Sequence, residues 1–264
     1  MNPQDSLHSE DQPNETGAHD NNADVYLSHN EVMNLLEHGE IIKQHGIMGD
    51  SSNYTFLITL QHEDATLPAI YKPRRGERPL WDFPNGTLCL RERASYLTSQ
   101  ALGWEVVPPT VLREGFLGLG SMQFYVDHDP ELHYFRLDES FLPQLMRICL
   151  FDVLINNADR KGGHCIVDAG GHVWGIDHGI TFNEDPKLRT VIWDFTGQPI
   201  PTELLDNVRQ LCDYLDQPSE YQATLETLLD KREIHAFRQR IHQVLTEGVF
   251  PLPSDRQNYP WPPI

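Results

Sequence analysis

Two short stretches of this sequence place chemistry-bearing side chains close together. Asn156-Asn157-Ala158-Asp159-Arg160-Lys161-Gly162-Gly163-His164 puts a carboxylate, two cations and an imidazole on one loop. Ile176-Asp177-His178-Gly179 adds a second carboxylate and a second imidazole. Carboxylates accept protons and hold hard cations, and imidazole does both jobs for softer ones. Between the two stretches, residues 164–168 read as a short strand, Ala169-Gly170-Gly171-His172 as a tight turn, and residues 173–177 as the returning strand. If Gly170 and Gly171 are the two turn residues, Ala169 faces His172 and His164 faces Asp177, with opposed Cα atoms about 4.5–5.5 Å apart. The expectation is a site shared by His164 and Asp177, with Asp159 on the loop leading in.

The elements that position this site follow from the pattern around it. Phe141, Leu142, Leu145, Met146, Ile148, Cys149, Leu150, Val153 and Leu154 recur at helical spacing, which predicts a buried helix over about 139–156, ending where the polar loop begins. Upstream, Ser28 is placed to cap a helix over about 29–38 carrying Val32, Leu35 and Leu36. Gly46-Ile47-Met48-Gly49-Asp50-Ser51-Ser52-Asn53 is a turn of small, hydrogen-bonding residues, able to offer N–H groups and hydroxyls to phosphate oxygens. A strand over 54–60 follows it. Ala69-Ile70-Tyr71-Lys72-Pro73 is the next strand, with Lys72 held extended by the proline after it.

Arg74, Arg75 and Arg78 make a local basic cluster. Thr87 is placed to cap a helix reaching about Leu102, with Leu90, Ala94, Leu97 and Ala101 as its buried stripe, Glu92 off that stripe, and Gly103 ending it. Residues 106–113 and 120–126 read as two strands about a turn at 114–119. Stripes of Leu204, Leu205, Val208, Leu211, Cys212 and Leu215, then Leu225, Leu228 and Leu229, then Ile234, Phe237, Ile241, Val244 and Leu245 predict three more helices, the last stopped by Gly248. The expected organisation is an acidic disordered segment at 1–24, an antiparallel sheet-and-helix lobe at 25–128, a helical lobe at 129–248, and an extended proline-rich tail at 249–264.

Taken in order, these parts resemble the protein-kinase-like fold: a two-lobed α+β chain with a β-rich N-lobe and a helical C-lobe. The motifs are most similar to the phosphatidylinositol 3-/4-kinase superfamily and its atypical relatives. Those relatives include a bacterial family of phosphatidylinositol-kinase-like proteins and, more distantly, the HipA-type and Golgi secretory-pathway kinases. The carrying segments are Ala69-Ile70-Tyr71-Lys72-Pro73, Leu90-Arg91-Glu92-Arg93-Ala94, Val107-Pro108-Pro109-Thr110, Asn157-Ala158-Asp159-Arg160 and Ile176-Asp177-His178-Gly179.

The resemblance implies that Lys72 contacts nucleotide phosphates with Glu92 orienting it, and that Ser51, Ser52 and Asn53 cover those phosphates. It implies that residues 122–126, Met122, Gln123 and Tyr125 among them, face the adenine through backbone groups. Asp159 would orient or deprotonate an attacking hydroxyl, and Asp177 would bind Mg²⁺ or Mn²⁺ beside ATP. His164 stands where such kinases place an asparagine, and imidazole suits Mn²⁺ or Zn²⁺ better than Mg²⁺. His178 replaces the usual aromatic residue and reads as a satisfied structural histidine.

The chain has 264 residues, 39% of them hydrophobic and 22% charged, with a formal net charge of −19. That length sustains a full core. The charge argues against nucleic acid and anionic membranes as partners. It favours a protein acceptor over an anionic lipid, although Arg74, Arg75 and Arg78 could meet a head group. No apolar run approaches the about 20 residues of a membrane span. A polar start without a secretory signal, and scattered Cys89, Cys149, Cys165 and Cys212, point to a reducing, cytoplasmic setting. The reading is an ATP-dependent phosphotransferase with a protein, lipid or small-molecule hydroxyl acceptor. An AMP transferase on the same fold, a nucleotide-binding pseudokinase scaffold, and a metallohydrolase built on Asp159, His164 and Asp177 stay open.

Overall fold

The computed structural model describes residues 27–48, 53–254 and 257–264. The predicted acidic segment 1–24, Ser51 and Ser52 lie outside the described residues. Ser28 caps α1 (His29–His38) as its position foretold. Its hydroxyl meets the Glu31 N–H while the Glu31 carboxylate accepts from the Ser28 N–H at 2.7 Å, a reciprocal capping box. Val32, Leu35 and Leu36 are buried against a five-stranded antiparallel sheet of β1 (Glu40–Ile47), β2 (Phe56–His62), β3 (Ala65–Pro73), β4 (Thr110–Gly115) and β5 (Gly118–Phe124), in spatial order β1-β2-β3-β5-β4. β1 was not among the predicted strands. It is an edge strand exposed almost throughout and bent by two register shifts, so it carries no alternation to read.

Alternation along β3 sets up the site. Leu67, Ala69, Tyr71 and Pro73 turn into the core, which leaves Ile70 and Lys72 on the opposite face, lining a cleft. The predicted turn at 114–119 is tighter than expected, with Gly115 paired to Gly118.

α2 (Leu88–Ala101) departs from its expected stripe. Ala94 is fully buried, and Leu90, Leu97 and Ala101 are only half-buried, whereas Arg91, Glu92, Ser95, Thr98 and Ser99 are all buried. The helix packs against β4, β5, α4 and α5 at once, so no face is left to solvent and periodicity cannot be read from it. Thr87 does not cap it through its side chain; the hydroxyl donates to the Pro84 carbonyl at 2.7 Å instead.

The second core joins α2 to α3 (Leu142–Ile155), α4 (Thr202–Asp216), α5 (Glu220–Leu228) and α6 (Lys231–Glu247), with Ile148, Phe151, Leu154, Val208, Leu211, Phe237 and Ile241 at its centre. A 3₁₀ turn, Glu139–Phe141, precedes α3, and Asn156 ends it in the left-handed region at φ 55°. Gly248 ends α6 likewise, at φ 63°. The fold is α+β, an antiparallel sheet with helices beside a helical body. Among the described residues no helix is long and apolar enough to cross a membrane.

The hairpin β6 (Cys165–Val167) and β7 (Val173–Gly175) corrects the predicted register. Val167 pairs with Val173 and Cys165 with Gly175, so His164 lies opposite Ile176 and not Asp177. The turn holds three residues, not two. The Asp168 carboxylate accepts from the N–H groups of Gly170 and His172, and Gly171 takes φ +79°, the pattern of a type I turn followed by a left-handed residue. The proline-rich tail packs against the body. Phe250 is buried, the Asn258 carbonyl accepts from the Thr190 N–H, and the Pro263 carbonyl accepts from the Gly162 N–H at 2.7 Å.

Nothing lies within 4 Å of a Cβ built on Gly171, so substitution there tests backbone conformation alone. Gly171→Ala should cost roughly 1–2 kcal/mol, the strain of a left-handed L-residue. Urea unfolding measures it, and an unchanged midpoint would show that the turn relaxes freely.

Candidate active site

A cleft of about 480 Å³ opens between the sheet and the helical body, within the usual size of small-ligand sites. Lys72 stands in it between two carboxylates, with Nζ 2.5 Å from Glu92 Oε1 and 2.9 Å from Asp177 Oδ1. Glu92 is 2% exposed. Its second oxygen accepts the His178 N–H at 3.1 Å, so one buried carboxylate holds both the β3 lysine and the segment after β7. Burial works against the lysine's charge, but Asp177 and Glu92 outweigh it and raise its pKa above the ordinary value. Lys72 in turn holds the Asp177 carboxyl well below the usual range.

Asp177 reaches this position by an unusual backbone. Its φ is +61°, a left-handed conformation that aspartate tolerates better than most residues. The side chain swings back to put Oδ2 3.5 Å from His164 Nε2 although the two residues are not opposed. The other ring nitrogen, Nδ1, lies 2.9 Å from the Asp159 carbonyl oxygen. A carbonyl only accepts, so Nδ1 carries the proton and Nε2 faces Asp177 with a lone pair. Burial pushes the His164 pKa down to about 4, which keeps the ring neutral above that pH. Two acceptors thus face each other across 3.5 Å without a proton between them. A divalent cation, with ligand bonds of about 2.0–2.2 Å, fits that pair. Asp159 adds no third donor atom to that pair: no oxygen of its carboxylate lies within 4.8 Å of both the His164 and the Asp177 donor atoms.

Beneath the cleft lies a brace that the sequence reading did not single out. Arg160, fully buried, meets Asp152 through Nε at 2.8 Å and Nη2 at 2.9 Å. Its Nη1 donates to the carbonyls of His164 and Ile176 at 3.0 Å each, and Nη2 lies 2.6 Å from His178 Nε2. One guanidinium therefore ties α3, the Asp159 loop and the Asp177 segment together. Asn157 joins it, donating to Asp152 at 2.8 Å while its side-chain oxygen accepts the Asp159 N–H at 3.0 Å. The signal was present: Asp152 is an acid inside an apolar helix, and a buried carboxylate requires a cation.

His178 is only half satisfied. Arginine can only donate, so Nε2 accepts, and the buried Nδ1 has no partner among the described residues. Arg91 makes a second tie, donating to the Thr181 carbonyl at 2.6 Å and to Glu233 on α6 at 2.5 Å.

Asp159 is three-quarters covered, with Oδ2 3.5 Å from Lys161 Nζ. Burial, helped by Asp177 and opposed by Lys161, pushes its pKa up to about 6. Asn53, Gln123 and Tyr125 line the cleft as expected, and Asn53 Oδ1 accepts the Arg78 N–H at 2.7 Å. Met122 does not: it is fully buried in the core behind the sheet, because alternation along β5 sends it to the face opposite Gln123. Arg75 and Arg78 are exposed, while Arg74 Nε is held by the Gly86 carbonyl at 2.5 Å.

With this geometry in place, comparison with known proteins is informative. A profile of the phosphatidylinositol 3- and 4-kinases matches residues 30–246, the whole of the cleft included. The chain belongs to that family. Protein Rv2133c of Mycobacterium tuberculosis (strain ATCC 25618 / H37Rv) is 38% identical over 252 residues, covering 82% of this chain and 90% of the relative. The crystal structure of a Helicobacter pylori proinflammatory kinase, CtkA, is 15% identical with a TM-score of 0.45, covering 78% of this chain and 97% of that one. A domain of this kinase family is a phosphotransferase domain, and Lys72, Glu92, Asp159, His164 and Asp177 all fall within the matched segment.

Two outcomes test the site. Arg160→Met and Asp152→Leu should each lose about 3–5 kcal/mol in urea unfolding, because each leaves the other charge buried and unpaired. The double variant should lose clearly less than the sum, and strict additivity would mean the two do not act as a pair. Folded Asp159 keeps its proton up to about pH 6, whereas the unfolded chain releases it near 3.8. The ionised carboxylate therefore costs stability above pH 6 and nothing below about pH 4. In chelator-treated protein, Asp159→Asn should gain about 1–2 kcal/mol at pH 8, with the gain vanishing by pH 4; melting temperatures across that range measure it.

Proposed function

We propose that the protein transfers the γ-phosphoryl group of ATP to a hydroxyl group, with Mg²⁺ or Mn²⁺ as the accompanying cation. The observation that carries this reading is Lys72 set between Glu92 and Asp177 at 2.5 and 2.9 Å on the wall of the cleft. A lysine so placed is charged, oriented and free to exchange one carboxylate partner for phosphate oxygens. Phosphoryl transfer asks the protein for positioning and charge compensation more than for covalent chemistry, and these residues supply both. Lys72 donates to the phosphates while Glu92 keeps it in place. Asp159, with a pKa of about 6, is ionised at neutral pH and still basic enough to take the proton of an attacking hydroxyl. Asp177 and His164 are the residues that would hold the divalent cation, which when bound neutralises charge developing on the phosphates. The acceptor is a protein, a lipid or a small molecule; the net charge of −19 favours a protein over an anionic membrane surface.

Incubation with ATP labelled at the γ or the α position, in Mg²⁺ and then in Mn²⁺, tests the reading. γ-Label transfer to the protein or an added acceptor is the expected result. α-Label transfer would instead make the chain an AMP transferase, and no transfer by well-folded protein would overturn the enzyme reading. Lys72→Ala should lower kcat/KM at least a hundredfold in protein that is still folded at the assay temperature, with some loss of melting temperature because the buried Glu92 loses its cation. Asp177→Asn should abolish cation-dependent nucleotide binding, whereas Asp159→Asn should bind nucleotide and fail to turn over. His164→Asn should shift the cation preference from Mn²⁺ toward Mg²⁺, because an amide oxygen replaces a nitrogen.

A further inference from the structure

We infer that Gln123 selects the base of the bound nucleotide, accepting the 6-amino group of adenine and rejecting 6-oxo purines. The inference rests on the nucleotide reading of the cleft and goes beyond it by assigning base choice to a side chain. Strand register supplies the placement. On β5, Gln123 is paired with Ile70 of β3 on one side and Thr110 of β4 on the other, while Ser121 is paired with Lys72 and Leu112. Gln123 and Ile70 thus form one cross-strand row, and Ser121 and Lys72 the next row on the same face. Two residues of strand separate the rows, about 7 Å. With phosphates at Lys72, the Gln123 row falls on the base side of the cleft. Gln123 is 6% exposed and lines that cleft.

The orientation of the amide follows from hydrogen-bond bookkeeping. Thr110 donates its single hydroxyl proton to the Pro108 carbonyl at 2.7 Å, an oxygen that can only accept. Toward Gln123, at 2.8 Å, Thr110 Oγ1 must therefore be the acceptor. This turns the Gln123 NH₂ group to Thr110 and leaves Oε1 on the other side. Among the described residues no donor reaches Oε1. Since Oε1 is not one of the sealed, unpartnered polar atoms, it remains open to a ligand.

Adenine offers what this amide lacks: an amino N–H for Oε1, and an adjacent ring nitrogen for the amide's second N–H, the pairing by which a carboxamide reads adenine elsewhere. Hypoxanthine and guanine place an oxygen where Oε1 requires a hydrogen. The clamp on Thr110 prevents the amide from flipping to suit them. A buried polar group left unpaired by the wrong ligand is the strongest discriminator a pocket has.

The test compares equilibrium binding of Mg-ATP and Mg-ITP, which differ at the 6-position, to wild type, Gln123→Leu and Thr110→Val, with melting curves as a check of folding. Wild type should prefer ATP at least tenfold. Gln123→Leu should bring the ratio close to one. Thr110→Val keeps the glutamine but frees the amide to flip, and should also relax the ratio, chiefly by improving ITP. Equal binding of ATP and ITP by wild type, or a ratio unchanged in both variants, would overturn the inference while leaving the nucleotide site standing. Binding of neither nucleotide by folded wild type would overturn the nucleotide reading itself, and this inference with it.

Discussion

The ion pair between Asp152 and Arg160 is the interaction on which the rest of the site depends. Both side chains are fully buried, and a pair so placed gives up hydration that its mutual attraction alone need not repay. What it gains is geometry. Asp152 takes the Nε and Nη2 edge of the guanidinium, and the remaining nitrogen, Nη1, reaches two backbone carbonyls, one just before β6 and one just after β7. The ends of the hairpin are therefore fixed relative to α3, and so are Asp159, His164 and Asp177, which sit on either side of those carbonyls. A hydrophobic replacement of equal volume could fill the space but could not set the separation of two loops.

A second constraint links this platform to the sheet. Glu92 is the only carboxylate among the described residues that accepts from both Lys72 and the His178 N–H, and it stands on α2, which belongs to the core of the helical body while packing on β4 and β5. The near-complete burial of α2 has the same origin: a helix packed on the sheet and on the helical body at once has little side left for water.

Much of this was legible in the residues, for identifiable reasons. The α1 cap, the β3 lysine and the apolar helix before the Asp159 loop depend on local chemistry, and local chemistry is written in consecutive residues. The hairpin register was off by one because the Asp168 side chain caps its own turn, accepting from the N–H groups two and four residues on, and so builds a three-residue loop where two adjacent glycines suggest a two-residue one. The closeness of His164 and Asp177 nevertheless held, through the left-handed backbone at Asp177 rather than through strand opposition. β1 escaped notice because an exposed edge has no buried face to pattern it. The stripe on α2 misled because periodicity presumes a solvent side. Arg160 was visible as part of a motif, yet its reach into four partners belongs to tertiary structure. The proline-rich tail reads as extended by composition, but composition does not show what it touches: Phe250, Asn258 and Pro263 tie it to the body around the Asp159 loop.

The positive φ of Asp177 also bears on how this position can vary over evolutionary time. Left-handed backbone admits glycine, asparagine and aspartate readily and penalises β-branched residues. Of the three, aspartate alone brings a formal charge to Lys72 and His164. The position therefore has a narrow corridor of neutral drift. Asparagine and glycine keep the backbone conformation but leave Lys72 with Glu92 as its one carboxylate partner among the described residues. Valine or isoleucine there would add a strain of about 1–3 kcal/mol. Asparagine or glycine at the position equivalent to 177 in a relative would thus keep the backbone while removing the charge that faces Lys72 and His164.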